Sequence, residues 1–240
     1  MTSVIETTEI HTDPHWRHTA LGTPIQLWSS APLSELSKFS LNQCILLFGG
    51  VHGDEPEGVK LAQETLQWLI SETKSEAQLL PWIVIPCLNV DGFAQQTRVN
   101  GRGVDLNRNY PAKNWSPLFE KERYNPGPSP GSEPEVQGIV ELLKSVRPKL
   151  VIHCHSWQPC IVATGTPGLP IAEMLSQSSG YKVIPEIGYP TPGSLSQYGW
   201  HDQQIPIICI EEQELLTDLD LIWPRFLPAM SKIFKKGMIS

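Results

Sequence analysis

His52-Gly53-Asp54-Glu55 offers an imidazole and a carboxylate three residues apart, and Val151-Ile152-His153-Cys154-His155 adds two imidazoles far downstream. Two nitrogens and one carboxylate oxygen hold a zinc ion and leave its fourth position to water. That is the arrangement of a hydrolytic site, whereas structural zinc is normally closed by four protein ligands. A His-x-x-Glu pair is common by chance, so its setting matters. It follows the apolar run Cys44-Ile45-Leu46-Leu47-Phe48-Gly49-Gly50 and precedes a helical pattern that begins near Pro56. This setting predicts a strand-to-helix turn at the carboxyl end of a strand, where open α/β sheets collect their ligands. The alternative is a capped helix start that carries an exposed histidine.

A second concentration of chemistry lies in residues 88–132, rich in Asn, Gly, Pro and Arg and with little periodicity. An irregular stretch of that length inside a compact domain usually lines a functional site. It holds Asn89-Val90-Asp91-Gly92, then Arg98, then Gly103-Val104-Asp105-Leu106-Asn107-Arg108-Asn109-Tyr110-Pro111. Two arginines and an asparagine at the mouth of a zinc site make a carboxylate-binding patch, because the planar guanidinium matches a carboxylate with two parallel hydrogen bonds. The plainer alternative is that Arg98 and Arg108 pin a long loop to Asp91 or Asp105. Further on, the apolar run Pro206-Ile207-Ile208-Cys209-Ile210 ends in Glu211, with Glu212 and Glu214 close by. Activation of water needs a proton acceptor. These carboxylates either supply it or form an exposed acidic cap on a strand.

The elements that must position these groups read as alternating strands and helices. Apolar runs predict strands at Ile25–Trp28, Cys44–Phe48, Trp82–Cys87, Leu150–His155, Cys160–Thr164, Lys182–Ile184 and Ile205–Ile210. Several are continuous rather than alternating, as for strands buried on both faces. Val59, Ala62, Leu66 and Leu69 recur at helical spacing, as do Val136, Ile139, Val140 and Leu143, and Leu169–Ser178 and Leu219–Phe234 are further helices. The alternation predicts an α/β sandwich around a mostly parallel sheet. Among the 22 prolines, those in residues 88–132 and near Pro185–Pro192 argue for rigid loops.

The 240 residues are read as a single domain over 1–240, with 1–20 an N-terminal extension. No segment approaches the ~20 apolar residues of a membrane span, and the start lacks the basic and apolar regions of a signal peptide, so a cytoplasmic location is expected. A net charge of -7 without a basic run speaks against nucleic acid and anionic membrane as partners. The five cysteines (44, 87, 154, 160 and 209) lie in or beside apolar runs and match neither a zinc knuckle nor a disulfide framework. They read as buried, reduced, small hydrophobes. Nothing in the sequence fixes the oligomeric state, and a homodimer is compatible with it.

Taken together, the motifs resemble the zinc carboxypeptidase superfamily. His52-x-x-Glu55, Asn89-x-Asp91-Gly92, Asp105-Leu106-Asn107-Arg108-Asn109 and His155-Ser156 stand in that family's order and approximate spacing. Pro111-Ala112-Lys113-Asn114-Trp115, Pro130-Gly131-Ser132-Glu133-Pro134-Glu135, Cys160-Ile161 and Gly188-Tyr189-Pro190-Thr191-Pro192-Gly193-Ser194 look most like one branch of it. That branch comprises bacterial cytoplasmic amidases that cut the γ-D-glutamyl–diaminopimelate bond of recycled cell-wall peptides. The similarity runs from Leu21 to Phe234.

The resemblance implies a three-layer α/β/α sandwich with a mostly parallel mixed sheet, and one Zn2+ per chain held by His52, Glu55 and His155. Alignment on Cys160-Ile161 selects His155, whereas alignment on His-x-x-Ser would select His153, which is otherwise left behind the ligand or in packing. The same resemblance implies Glu211 as catalytic base and Arg98 as oxyanion stabiliser. It gives Asn107 and Arg108 to a carboxylate of a small peptide substrate, and the 188–194 loop with Tyr189 to the pocket rim. Tyr189 and Tyr198 are each either functional or packed. The sequence departs from the family after Glu211, where Glu212-Gln213-Glu214 replaces apolar and proline residues and leaves the pocket wall undetermined. Three other readings compete: a deacylase of the succinylglutamate desuccinylase and aspartoacylase group, a non-catalytic cell-wall peptide binder, and a carboxypeptidase for ordinary L-peptides.

Overall fold

The computed structural model describes residues 9–38, 43–75 and 78–235. Its eight strands are β1 His11–His18, β2 Pro24–Ser29, β3 Ile45–Phe48, β4 Trp82–Ile85, β5 Leu150–Trp157, β6 Cys160–Thr164, β7 Lys182–Ile184 and β8 Ile207–Gln213. They form one sheet in the order β1-β2-β4-β3-β5-β8-β6-β7. The central strands β4, β3, β5 and β8 are parallel. β1, β2 and β4 pair antiparallel at one edge, and β6 runs antiparallel to β8 at the other. The central sequences Ile-Leu-Leu-Phe and Trp-Ile-Val-Ile are buried along their whole length, as expected for strands covered on both faces.

The helices are α1 Leu33–Leu36, α2 Pro56–Lys74, α3 Val90–Gln95, α4 Pro134–Ser145, α5 Leu169–Ser179 and α6 Ile222–Ile233. α2, α5 and α6 cover one face, where Leu61, Leu69, Ile171, Leu175, Phe226 and Met230 meet Leu47, Ile152 and Ile210. On the other face Val136, Ile139 and Leu143 of α4 join Tyr110 and Leu195 over Leu46, Phe48 and Val151. This is the three-layer α/β/α sandwich with a mostly parallel mixed sheet that was expected.

Of residues 1–20, expected as an N-terminal extension, 1–8 lie outside the described residues, and His11–His18 forms β1, which pairs with β2. Its sequence is mostly exposed and carries no apolar run. An edge strand leaves little apolar periodicity to read, and Trp16 is the β1 hydrophobic packed on the core cluster. β4 stops at Ile85, ahead of Pro86, and β8 starts after Pro206, because proline cannot donate to a ladder. Residues 88–132 are also less irregular than expected, containing α3 and helical turns at Leu106–Arg108 and Glu122–Tyr124.

One close packing sets the site's framework. A Cβ on Gly58 would lie 2.3 Å from the carbonyl oxygen of Cys154, so the first turn of α2 presses directly on β5 just before His155. Gly58→Ala is therefore expected to cost about 1–3 kcal/mol, the usual penalty of overpacking, read as a lower denaturation midpoint.

Candidate active site

The turn between β3 and α2 carries His52 and Glu55, and the end of the neighbouring strand β5 carries His155. His52 Nδ1 lies 2.7 Å from Glu55 Oε1, and His155 Nδ1 lies 2.8 Å from Glu55 Oε2 and 3.0 Å from His52 Nδ1. All three side chains are buried, so His52 is not the exposed residue of a capped helix start. Gly53 allows the turn, since a Cβ there would run into the backbone of Gly92 at 1.9 Å. Two imidazole nitrogens converging on one carboxylate, beside an open cavity, are the donor set of a three-ligand zinc site. Burial raises the Glu55 pKa, but the two imidazoles outweigh it and hold the carboxyl well below its usual range. That keeps Glu55 ionised for a metal.

His153 points to the same face of β5 but stands behind this cluster, its Nδ1 2.9 Å from His155 Nε2. Burial, and then the neighbouring His155, push its pKa well below the ordinary histidine value, so the ring is neutral near pH 7. Asp105 was missed as a site residue. His52 Nε2 lies 3.1 Å from Asp105 Oδ1, and Arg98 Nε donates to Asp105 Oδ2 at 3.0 Å. A carboxylate behind a ligand imidazole fixes its ring and raises its basicity. The only sequence signal was the acidic residue that opens Asp105-Leu106-Asn107-Arg108-Asn109. Asp105→Asn is expected to weaken zinc binding by roughly 10–100-fold, measured by competition with a chelator of known affinity.

Arg98 is also near Glu55, with Nη1 3.4 Å from Oε1. Arg98 therefore pins the loop to Asp105, as the plainer reading had it, and at the same time lines the cavity. That cavity, of about 200 Å³, is bounded by His52, Glu55, His155, Arg98, Asn107, Arg108, Tyr189 and Glu211. The Arg108 guanidinium donates to the carbonyl oxygen of Asn107 at 2.8 Å and lies over the Tyr124 ring. Asn107 Oδ1 accepts from the Leu195 amide at 3.0 Å, which ties the long loop to the segment after the 188–194 rim. Tyr189 is 44% exposed and meets Trp157 edge to face, so it belongs to the rim. Tyr198 is buried, stacks on Tyr110, and is not among the residues lining the cavity.

β8 runs beside β5 with His155 and Glu211 in register. Burial, followed by the charge of Glu55, raises the Glu211 pKa above the ordinary carboxylate value despite His155 nearby. Alternation along the strand separates it from Glu212. Glu212 is buried and accepts from Tyr181 and Arg225, whereas Glu214 lines the cavity mouth.

A profile described as "Zinc carboxypeptidase" matches residues 23–191. The chain belongs to the zinc carboxypeptidase family, and it is a hydrolase of peptide bonds. The matched stretch stops short of Glu211. Murein peptide amidase A of Escherichia coli is 29% identical over 232 residues, spanning 92% of this chain and 88% of that protein. The namesake from Vibrio campbellii is 27% identical over 187 residues, 73% of this chain and 72% of that one. The crystal structure of the murein-tripeptide amidase from Escherichia coli superposes with a TM-score of 0.71 at 26% identity, covering 95% of this chain and 94% of that chain. Thrombin-activatable fibrinolysis inhibitor, at 18% identity and a TM-score of 0.70 over 93% of this chain and 71% of that one, shares the fold.

Proposed function

We propose that this chain is a zinc-dependent amidase that cuts the γ-D-glutamyl–diaminopimelate bond of murein peptides released during cell-wall recycling, with Glu211 as the general base. The observation that carries the reading is the convergence of His52, Glu55 and His155 on the cavity that also holds Glu211. The near full-length similarity to murein peptide amidase A supports the choice of substrate. The five free cysteines are in keeping with a reducing, cytoplasmic setting. Among the described residues no helix is long and apolar enough to cross a membrane.

His52, Glu55 and His155 would hold the zinc, with Asp105 fixing the His52 ring. A zinc ion there supplies Lewis acidity and lowers the pKa of water to about 7. Glu211 takes the proton of the attacking water and later delivers it to the leaving amine. Its raised pKa suits the first step, because a carboxylate with a higher pKa is the stronger base. Arg98 faces the oxygen that gains charge as the carbonyl is attacked. Asn107 and Arg108 hold the free carboxylate of the leaving residue, and Tyr189 closes the rim.

Zinc-loaded protein incubated with L-Ala-γ-D-Glu-meso-diaminopimelate is expected to release diaminopimelate, identified by mass analysis. Cleavage of ordinary L-peptides alone would make it a conventional carboxypeptidase, and hydrolysis of N-acyl amino acids alone a deacylase. Arg108→Ala is expected to raise KM by about ten- to a hundredfold, as loss of a charge-assisted bond worth ~1.5–3 kcal/mol implies. Amidation of the leaving carboxylate should erase most of that difference. Equal KM effects on both substrates would remove Arg108 from carboxylate binding.

A further inference from the structure

Three guanidiniums gather around one ring. Those of Arg98, Arg108 and Arg123 lie 5.3, 5.7 and 5.6 Å from the centre of Tyr124, and all four side chains border the cavity beside His52, Glu55 and His155. Two of the arginines already have partners and parts to play. Arg98 serves Asp105 and faces Glu55, and Arg108 donates to the Asn107 carbonyl oxygen. Arg123 has neither. Among the described residues its guanidinium makes no hydrogen bond, and its ion pair with Asp54 is 3.7 Å long, beyond hydrogen-bond range. It stands half in solvent on the helical turn Glu122–Tyr124, outside every motif that carried the family resemblance.

Its place in the cavity fixes which half of a substrate it meets. A second cavity, of about 140 Å³, shares Asn107, Tyr189 and Glu211 with the first and runs back to Val162 and Thr164 of β6. That is the room for a leaving residue whose carboxylate is held at Asn107. Arg123 borders the first cavity and not the second, next to the turn that carries Asp54 and Glu55. It therefore faces the acyl half. On that half a γ-linked glutamyl residue differs from an α-linked one. Its side-chain carboxyl makes the scissile bond, so its α-carboxylate is free, a short run of carbons from the carbonyl under attack. An ordinary peptide has an uncharged amide instead. A guanidinium with unused donors matches a carboxylate through two parallel hydrogen bonds. Glu214, beyond the end of β8, borders the same cavity and repels an anion from its own side.

We propose that Arg123 binds the free α-carboxylate of the γ-linked glutamyl residue and so selects γ-linked over α-linked peptides. This rests on the functional reading above and supplies it with a reason for the linkage. The three arginines then serve three different negative charges: Arg98 the developing oxyanion, Arg108 the leaving carboxylate and Arg123 the acyl-side carboxylate.

The test compares L-Ala-γ-D-Glu-meso-diaminopimelate with the same peptide carrying a carboxamide in place of the glutamyl α-carboxylate. Both are given to zinc-loaded wild type and Arg123→Ala. In the wild type this amidation is expected to raise KM about tenfold with kcat little changed, the lower end for a charge-assisted hydrogen bond, because Arg123 stays half in water. Arg123→Ala should show the raised KM on both peptides, so that amidation costs it less than about twofold. Arg123→Lys keeps the charge without the fork and should fall between the two. Amidation of the leaving carboxylate should cost wild type and Arg123→Ala alike, since that group belongs to Arg108. Zinc content and circular dichroism of each variant are measured first, and a general disturbance of the fold would not tell the two peptides apart. Cleavage of both peptides with the same amidation cost in wild type and Arg123→Ala, or with none in the wild type, overturns the proposal alone. Failure of the wild type to release diaminopimelate from either peptide sinks the functional reading and the proposal with it.

Discussion

Glu211→Gln is expected to keep one zinc per chain and to lose about 10²–10⁴-fold in kcat, the usual contribution of a positioned general base. The amide fills the same space but cannot accept a proton. Metal content and steady-state turnover on the same preparation measure the two halves of the expectation. The neighbours give the contrast. Glu212 is held by Tyr181 and Arg225 away from Glu211, so Glu212→Gln should lower the denaturation midpoint and spare kcat. Glu214 lines the cavity mouth. A Glu211→Gln enzyme within about tenfold of wild type, below the range for such a base, would move the role to Glu214.

The second large effect is loss of the metal. His52→Ala, Glu55→Ala and His155→Ala should each emerge from gel filtration with little zinc and no measurable hydrolysis, while far-ultraviolet circular dichroism stays near wild type. The fold tolerates the change because the apolar clusters on both sheet faces are built without these residues. His153→Ala should behave differently, because His153 contacts His155 from behind. It should bind zinc roughly 10–100-fold more weakly, as expected for a group that only orients a ligand. Equal zinc loss in His153→Ala and His155→Ala would end the distinction between them.

The central sheet was legible because its strands are buried on both faces and therefore spell continuous apolar runs, as in Ile45–Phe48 and Leu150–Ile152. β1 was not, because an exposed edge strand needs no apolar code. The short helix α3 was hidden in a segment poor in periodicity. It is started by the Asn89 side chain, which accepts from the Gly92 amide at 2.9 Å, a local capping bond that hydrophobic spacing does not record. Among the candidate site residues, the resemblance to the family singled out His155 over His153 and Glu211 over its acidic neighbours, while His52 and Glu55 stood out because they follow an apolar run. Asp105 did not, because its importance lies in what it touches across a loop. The choice between Arg98 as loop anchor and Arg98 as cavity wall was a false one. A guanidinium has enough donors to serve Asp105 and face Glu55 together.

β8 is the last strand of the described chain to be synthesised, yet it sits between β5 and β6 near the middle of the sheet. Its ladder with β5 runs from Val151↔Ile207 to Trp157↔Gln213, and on its other edge it pairs with β6. A ribosome-bound chain that has not yet exposed this segment therefore presents two long apolar strand edges with no partner, the kind of surface that pairs with other chains. It can already hold His52, Glu55 and His155, but not Glu211. Chaperone demand during synthesis should peak in that interval, and the capacity to hydrolyse should appear abruptly with the insertion of one strand.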